Sequence, residues 1–290
     1  MVKHKIMTFF DFFNYSLMCI FALIILIPIW SSIVMSLVSE GERLSRGMYI
    51  LYPKKLDLSS YISILKSGSI IYSGYKITIF RVTVGTACNL FVTTMLAYAL
   101  SKRDLPWRKA ITFFVFFAMI FNGGLVLTFL IIKNTGLYNT LAAYIVPELV
   151  SAWNLFLMRN FFMLIPVELE EAAIIDGASP PVILVKVFLP LSVPVLLSIA
   201  LLYMAWHWNS WFDGLIYIRN RDLLTLQNVL RNTLIAANLE DVYDITAVSR
   251  PPLEAVRSAM IVVSTLPILC FFPFVQKYFV KGILVGSIKG

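Results

Sequence analysis

Apolar positions in this chain gather into long blocks rather than alternating residue by residue. The first block runs from about Phe12 to Val38, and others lie at about Tyr75 to Leu100, Ala110 to Ile132, Leu141 to Leu164, Leu191 to Ile216 and Ala255 to Phe279. A helix crossing a bilayer needs roughly 20 consecutive apolar residues, whereas a membrane strand needs about 9 to 11. The block lengths therefore predict six membrane-spanning helices and exclude a β-barrel. Prolines at 28, 147, 194, 267 and 273 sit in or beside the blocks, which a bilayer tolerates when neighbouring helices satisfy the freed carbonyls. A secretory leader has an apolar core of about 7 to 15 residues before a small-residue cleavage site. The first block is longer and ends in Leu37-Val-Ser-Glu40, so it is read as a retained span.

Composition agrees with this picture. Of 290 residues, 59% are hydrophobic and only 14% charged, with a mean hydropathy of +0.83, against about 25% charged residues in a soluble domain. The net charge of +8 comes from 24 Lys and Arg scattered between the blocks, which points to membrane topology and not to nucleic acid. Short loops set orientation. The link Ser101-Lys-Arg-Asp-Leu-Pro-Trp-Arg-Lys109 is strongly basic and Lys133 to Thr140 is not, so the former is expected in the cytoplasm. Six spans then leave both termini inside, where Lys3, Lys5, Lys277, Lys281 and Lys289 lie, with residues 39–74 and 217–254 facing outward. Cys19, Cys88 and Cys270 fall within apolar blocks without metal-ligand spacing, so neither a disulfide framework nor a metal site is expected. With no internal repeat or linker, residues 1–290 are read as one domain.

The segment 166–190, Pro-Val-Glu-Leu-Glu-Glu-Ala-Ala-Ile-Ile-Asp-Gly-Ala-Ser-Pro-Pro-Val-Ile-Leu-Val-Lys-Val-Phe-Leu-Pro, is the most informative. Pro166 suits a helix start, Glu168, Glu170 and Glu171 favour its N-terminal end through the dipole, and Gly177 can close it in a left-handed turn. Ser179 with Pro180 restarts a helix as N-cap and first helical residue. The result is two short helices bent about Gly177, with small Ala172 and Ala173 at the crest. Physical reasoning alone leaves two readings open: an amphipathic loop lying on the membrane, or a bent pair docking into a groove of another protein.

The segment resembles the EAA loop of bacterial ABC-importer permeases: Glu171-Ala172-Ala173, then Gly177, then Val187-Phe188-Leu189-Pro190, with the family spacing intact and Val in place of Ile. The resemblance extends through Phe121-Asn-Gly-Gly124, Gly136-Leu-Tyr-Asn-Thr140, Trp206-His-Trp-Asn-Ser-Trp211, and Tyr278-Phe-Val-Lys-Gly282 to Ser287-Ile-Lys-Gly290. The amino-terminal third matches less distinctively. Within that family it is similar to the carbohydrate-uptake, MalG-like branch and its oligosaccharide and polysaccharide group. The resemblance implies an all-α permease of the type I importer fold in a bacterial cytoplasmic membrane. It also implies as partners a second homologous permease, two copies of an ATPase, an extracellular sugar-binding lipoprotein and membrane lipid, with no nucleic acid. Carried over, Glu171, Ala172, Ala173, Asp176 and Gly177 would couple to the ATPase, and Lys281, Gly282, Lys289 and Gly290 in the tail 277–290 would reach it. No catalytic residue is implied. The chain has no GxxxxGK[ST] sequence, so ATP and Mg would be held by the partner ATPases and no cofactor by this chain.

If the fifth span is one helix, Trp206, Asn209, Ser210 and Asp213 fall at i, i+3, i+4 and i+7 on a single face. Aromatic planes and amides suit sugar faces and hydroxyls, so these residues and Asn122 are candidates for lining the substrate pathway. An interfacial aromatic belt readily accounts for Trp208 and Trp211 but less readily for Asn209 and Asp213, and Asn122 can instead bond a neighbouring helix. Gly123-Gly124 is read as a kink or a close-packing site. Arg81 lies about 9 Å into span two at 1.5 Å per residue, so it is expected to snorkel to the outer interface, as is Lys76. Arg219, Arg221 and Arg231 can draw an anionic sugar, pair with Asp222, or simply be solvated. His207 is read as a hydrogen-bonded packing residue. The competing class, an ion-gradient-driven transporter, would need intramembrane acids and matched broken helices, and the spans are nearly free of acids. A structural or signalling membrane subunit would leave the 166–190 loop without a purpose.

Overall fold

The computed structural model describes residues 9–47, 50–66, 68–235 and 254–270. Lys3, Lys5, the stretch 236–253, the end of the last block and the tail with Lys281, Gly282, Lys289 and Gly290 lie outside these residues. Among the described residues every regular element is helical. The helices are α1 Phe9–Ser36, α2 Glu40–Arg46, α3 Ser59–Leu65, α4 Ile70–Phe80, α5 Thr86–Ser101, α6 Arg108–Ile120, α7 Gly124–Asn134 and α8 Ala152–Phe162. They continue with α9 Val167–Ile175, α10 Pro180–Ile183, α11 Leu189–Leu191, α12 Val193–Asn209, α13 Phe212–Tyr217, α14 Leu226–Ile235 and α15 over 254–270.

Each of the six apolar blocks holds helix, but they are not six straight rods. α1 and the continuous run Ile70–Ser101 are the two described helices long and apolar enough to cross a membrane singly. The third block breaks at residues 121–123, where α6 and α7 meet at 114°. Gly124 adopts φ +81° there, and Asn122 Oδ1 accepts its N–H at 2.8 Å, so the Gly-Gly pair is a kink. The fourth block opens with a single 3-10 turn, Leu141–Tyr144, and becomes α-helical only at Ala152. Pro147 removes a donor within the interval. The fifth block ends its helix at Asn209, because Ser210 turns extended with ψ 130° before α13 begins.

Packing gathers the described residues into two compact units, those within 9–69 with those within 232–266, and those within 70–231 with 267–270. In the first unit, the end of α1 and the strap after it share a small core of Val34, Val38 and Ile50. Trp30 Nε1 donates to Leu51 O at 2.9 Å, and Ser36 Oγ meets Tyr61 OH at 2.6 Å. Glu42 ties the strap together. Its carboxylate accepts from Lys54 N–H at 2.8 Å and from Arg46 at 2.6 Å, and these bonds, the Lys54 N–H foremost, hold it below the ordinary carboxylate range. From Phe9 to Trp30 the large apolar side chains of α1 are exposed, as suits a helix clothed by lipid.

In the second unit α5 lies along α8 and α12 packs against both. Their common core includes Ala97, Tyr98, Leu155, Met158, Phe162, Phe188, Ile199 and Tyr203. Polar groups inside are paired across helices: Thr93 Oγ1 meets Tyr203 OH at 2.8 Å, and Tyr203 OH accepts Ser151 N–H at 3.1 Å. A second core, with Ile132, Tyr144 and Tyr217, brings the 136–140 turn to α13. Asn139, at φ +61°, accepts the N–H groups of Arg219 and Asn220 at 2.9 and 2.8 Å.

Replacing fully buried Met158 by Ala should lower stability by roughly 2 kcal/mol, near the low end for core truncation because lipid rather than water is the alternative surrounding. The lipid-facing change Ile25→Ala should cost far less. Thermal inactivation midpoints of the two purified variants check this; equal shifts would contradict the assigned core.

Candidate functional site

Two clusters in the second unit combine polar chemistry with defined geometry. The first is the helix-turn-helix of 166–191. Pro166 precedes α9 at its cap position, and Glu168 and Glu170 stand in the first turn, where the positive end of the helix dipole favours them. The helix closes by a Schellman motif: Ala178 N–H bonds Ala173 O and Gly177 N–H bonds Ile174 O, both at 2.9 Å, with Gly177 at φ +80°. That left-handed residue is why a glycine stands there. Ser179 occupies the N-cap position before Pro180, without a side-chain capping bond. The second arm, α10 continued through a π-turn at Leu184–Phe188 into α11, meets α12 at 86°.

The inner side of this segment is anchored and its outer side is bare. Ile183, Leu184 and Phe188 are buried. Phe188 meets Tyr98 edge-on at 4.9 Å and Phe162 at 5.5 Å between ring centroids. Lys102 Nζ bonds Glu170 Oε1 at 2.5 Å and sits 3.9 Å from the Tyr98 ring centroid and 4.2 Å from that of Phe188, so a cation–π contact and an ion pair join α5 to α9. Outward lie Glu171, Ala172 and Asp176 beside Ile174 and Ile175, the latter 84% exposed. Ala173 packs against the core behind them. An apolar patch flanked by acids on a backbone-locked turn is suited to docking against a protein surface.

The second cluster overturns the snorkelling expectation for Arg81. The α4–α5 rod loosens into a π-turn over Arg81–Gly85, and Arg81 is turned inward, with 0% of its surface exposed. Its guanidinium grips Asp213 with both terminal nitrogens, reaches Ser210 O at 3.4 Å, and lies against the rings of Tyr144 at 4.7 Å and Trp206 at 5.2 Å. Arg81 Nε donates to His207 Nδ1 at 3.2 Å, while His207 Nε2 faces Asn89 Oδ1 at 2.7 Å. Asn89 Nδ2 spends its hydrogens on Glu148 O and Leu149 O at 2.7 and 2.8 Å. The donors fix the tautomer. Nδ1 must accept from Arg81, so Nε2 carries the proton and the imidazole is neutral. A methyl added at Gly85 would stand 2.5 Å from His207 Nε2, so the approach requires glycine.

The predicted pathway residues are only partly brought together. Trp206, Ser210 and Asp213 converge on Arg81, but not along one helical face, because α12 ends at Asn209. Asn209 is exposed and donates to Ala205 O at 2.8 Å, and Asn122 caps the α6–α7 kink. Arg231 lies over the Trp211 ring at 4.6 Å, while Arg219 and Arg221 are exposed. Asn89, Tyr144 and Glu148 were missed by sequence reasoning. An amide such as Asn89 inside an apolar block was the available signal, since such a group needs a partner in hydrocarbon. Among the described residues no group of His, Cys, Asp and Glu is arranged to hold a metal ion.

Helices long and apolar enough to cross a bilayer, with a helix-turn-helix in the second unit, define an all-helical membrane protein. The chain belongs to the family of binding-protein-dependent transport system inner membrane components, whose model matches residues 89–285. It is 38% identical to the polygalacturonan/rhamnogalacturonan transport system permease protein YtcP of Bacillus subtilis (strain 168), over 97% of this chain and 98% of that protein. It is also 38% identical to protein LplC of the same organism, over 92% and 90%. Among solved structures it matches a bacterial ABC transporter involved in the import of the acidic polysaccharide alginate, with TM-score 0.88 and 33% identity, covering 95% of this chain and 99% of that one. The chain is therefore an inner-membrane permease of the ABC-importer type, with the expected all-helical fold, and nothing in these likenesses supports an ion-gradient-driven carrier.

Asp213→Asn should strand a buried guanidinium and cost about 3 to 5 kcal/mol, seen as loss of folded protein on size-exclusion chromatography. The paired change Arg81→Met with Asp213→Leu should restore much of that loss. A double variant no better than the single one would show that the ion pair does not govern folding.

Proposed function

We propose that this permease works beside a second, related permease, on two ATPase subunits, and passes oligosaccharides, uronate-containing ones included, from an extracellular binding protein to the cytoplasm. The observation that carries the coupling part is the 166–191 segment: its turn is locked by main-chain bonds, its rear is tied to α5 by Lys102 and Phe188, and its outer face is free to dock. A push on Glu171, Ala172, Ala173, Asp176 or Gly177 would be handed through those ties to the helices. ATP and Mg would be bound by the ATPases, and the tail with Lys281, Gly282, Lys289 and Gly290 would lie against them. The sugar class is supported by the two similar systems named for polygalacturonan and alginate import, both polymers of uronic acids. Exposed Arg219 and Arg221 offer charge complementary to such acids. Along the pathway Trp206 and Asn209 would offer a ring and an amide to the sugar, with Asn122 near the kink. Ser210 and Asp213 would act through Arg81.

Glu171→Ala and Gly177→Val should fail differently. Glu171→Ala leaves the turn intact and removes one charged contact, so binding-protein-stimulated ATP hydrolysis and sugar uptake should fall roughly ten-fold, the scale of one charge-assisted contact. Gly177→Val has free space around the new side chain but strains the left-handed backbone, so ATPase subunits should also be lost on purification. Normal uptake and hydrolysis in both would make the segment a mere membrane-surface connector.

The basic 101–109 link and both termini would face the cytoplasm. In a cysteine-free background, Arg103→Cys should resist an impermeant maleimide in intact cells and react in inverted vesicles. The reverse pattern would invert the topology.

A further inference from the structure

At the α9 end of the second unit, a cleft of about 540 Å³ opens between the first turns of α6 and the end of α8. The transport reading makes no use of it. Arg108, Lys109 and Arg159 line one part, Phe113, Phe116 and Phe156 another, and no carboxylate contributes to its walls. Arg108 Nε and Arg159 Nε both donate to one carbonyl, Leu100 O, each at 3.0 Å. Two guanidinium groups are thus drawn together with only a neutral oxygen between them. Arg108 and Lys109 also stand in the first turn of α6, where the helix dipole disfavours cations, and the N-cap Trp107 supplies no side-chain bond. Thr112, on the cleft wall, keeps a hydroxyl without a hydrogen-bond partner. The charge arrangement calls for an anion.

The neighbouring surface says what kind. Phe113 is 67% exposed, and a ladder of rings, Phe113, Phe117 and Phe121, climbs α6 with centroids 6.5 and 4.3 Å apart. A ligand with an anionic head at the arginines and an apolar body along these rings is a lipid, not a free ion. We propose that the cleft between α6 and α8 binds the phosphate headgroup of one anionic phospholipid, with its acyl chains laid along Phe113 and Phe117. Basic clefts between membrane helices at the cytoplasmic side suit such headgroups. The proposal rests on the functional reading only in assigning the lipid to the cytoplasmic leaflet. Bound there, the lipid would brace α6 against α8 just before the chain enters α9.

The test is native mass spectrometry of the purified whole transporter, titrated with phosphatidylglycerol or with phosphatidylcholine. One phosphatidylglycerol should be retained per copy of this chain, with phosphatidylcholine binding far more weakly and a large excess of inorganic phosphate failing to displace it. Lys109→Gln, which leaves both carbonyl-capping arginines in place, should weaken retention about five-fold, the equivalent of one cation at an anionic headgroup. Lys109→Glu should weaken it further. Equal retention of the two lipids, displacement by inorganic phosphate, or unchanged retention in Lys109→Glu would each overturn the proposal. So would Lys109→Cys cross-linking to the second permease, which would make the cleft a subunit contact. Retention is read without ATP or sugar, so its failure leaves the coupling reading standing, and failure of the Glu171 and Gly177 tests leaves the lipid site standing.

Discussion

A guanidinium in the interior of a membrane bundle sets the terms for everything around it. Arg81 is fully buried, so the fold must supply a counter-charge and enough acceptors. Asp213 provides the charge and Ser210 O and His207 Nδ1 provide acceptors, from a segment more than a hundred residues further along the chain. The π-turn that rotates Arg81 inward, the break between α12 and α13 that brings Asp213 round to it, and the glycine at 85 follow from that single requirement. Such a pair adds little net stability over apolar packing, but it penalises any arrangement in which one partner is missing. Its role is to make the native register of α4–α5 against α12–α13 the one that leaves no naked charge.

The opposite end of the same unit is organised by aromatic packing, to which one ion pair is added. Tyr98, Phe162 and Phe188 meet edge-on, so the second arm of the helix-turn-helix is keyed into the end of α5 and α8. Lys102 then fastens the first arm through Glu170. Side chains in such a close-packed cluster have little room to yield, so a displacement of the turn, under the proposed coupling, would pass to the long helices instead of being absorbed.

The segment 166–190 was largely legible because its signals are local. A left-handed glycine, a proline at a helix start and acids in a first turn each act within a few residues, and the structure shows the turn at Gly177 and the restart at Pro180 as read. Helical content in the apolar blocks was legible for the same reason. What escaped was long-range or depended on broken geometry. Arg81 was assigned by its depth in a straight helix, and the partner that reverses the assignment lies beyond a loop whose path no periodicity encodes. The 206–213 face assumed unbroken α-helix, whereas Ser210 turns extended. The kink in the third block was legible in the Gly123-Gly124 pair, whereas its size, 114°, was not.

The turn at Gly177 is closed by main-chain bonds, and apart from its chain neighbours nothing lies within 4 Å of where a Cβ would be. The side chains exposed around it at 171, 172, 174, 175 and 176 take no part in the bonds that close the bend. If the segment docks as proposed, the exposed chemistry at 171, 174, 175 and 176 would be exchangeable for that of another partner, while the main-chain geometry of the joint stayed as it is.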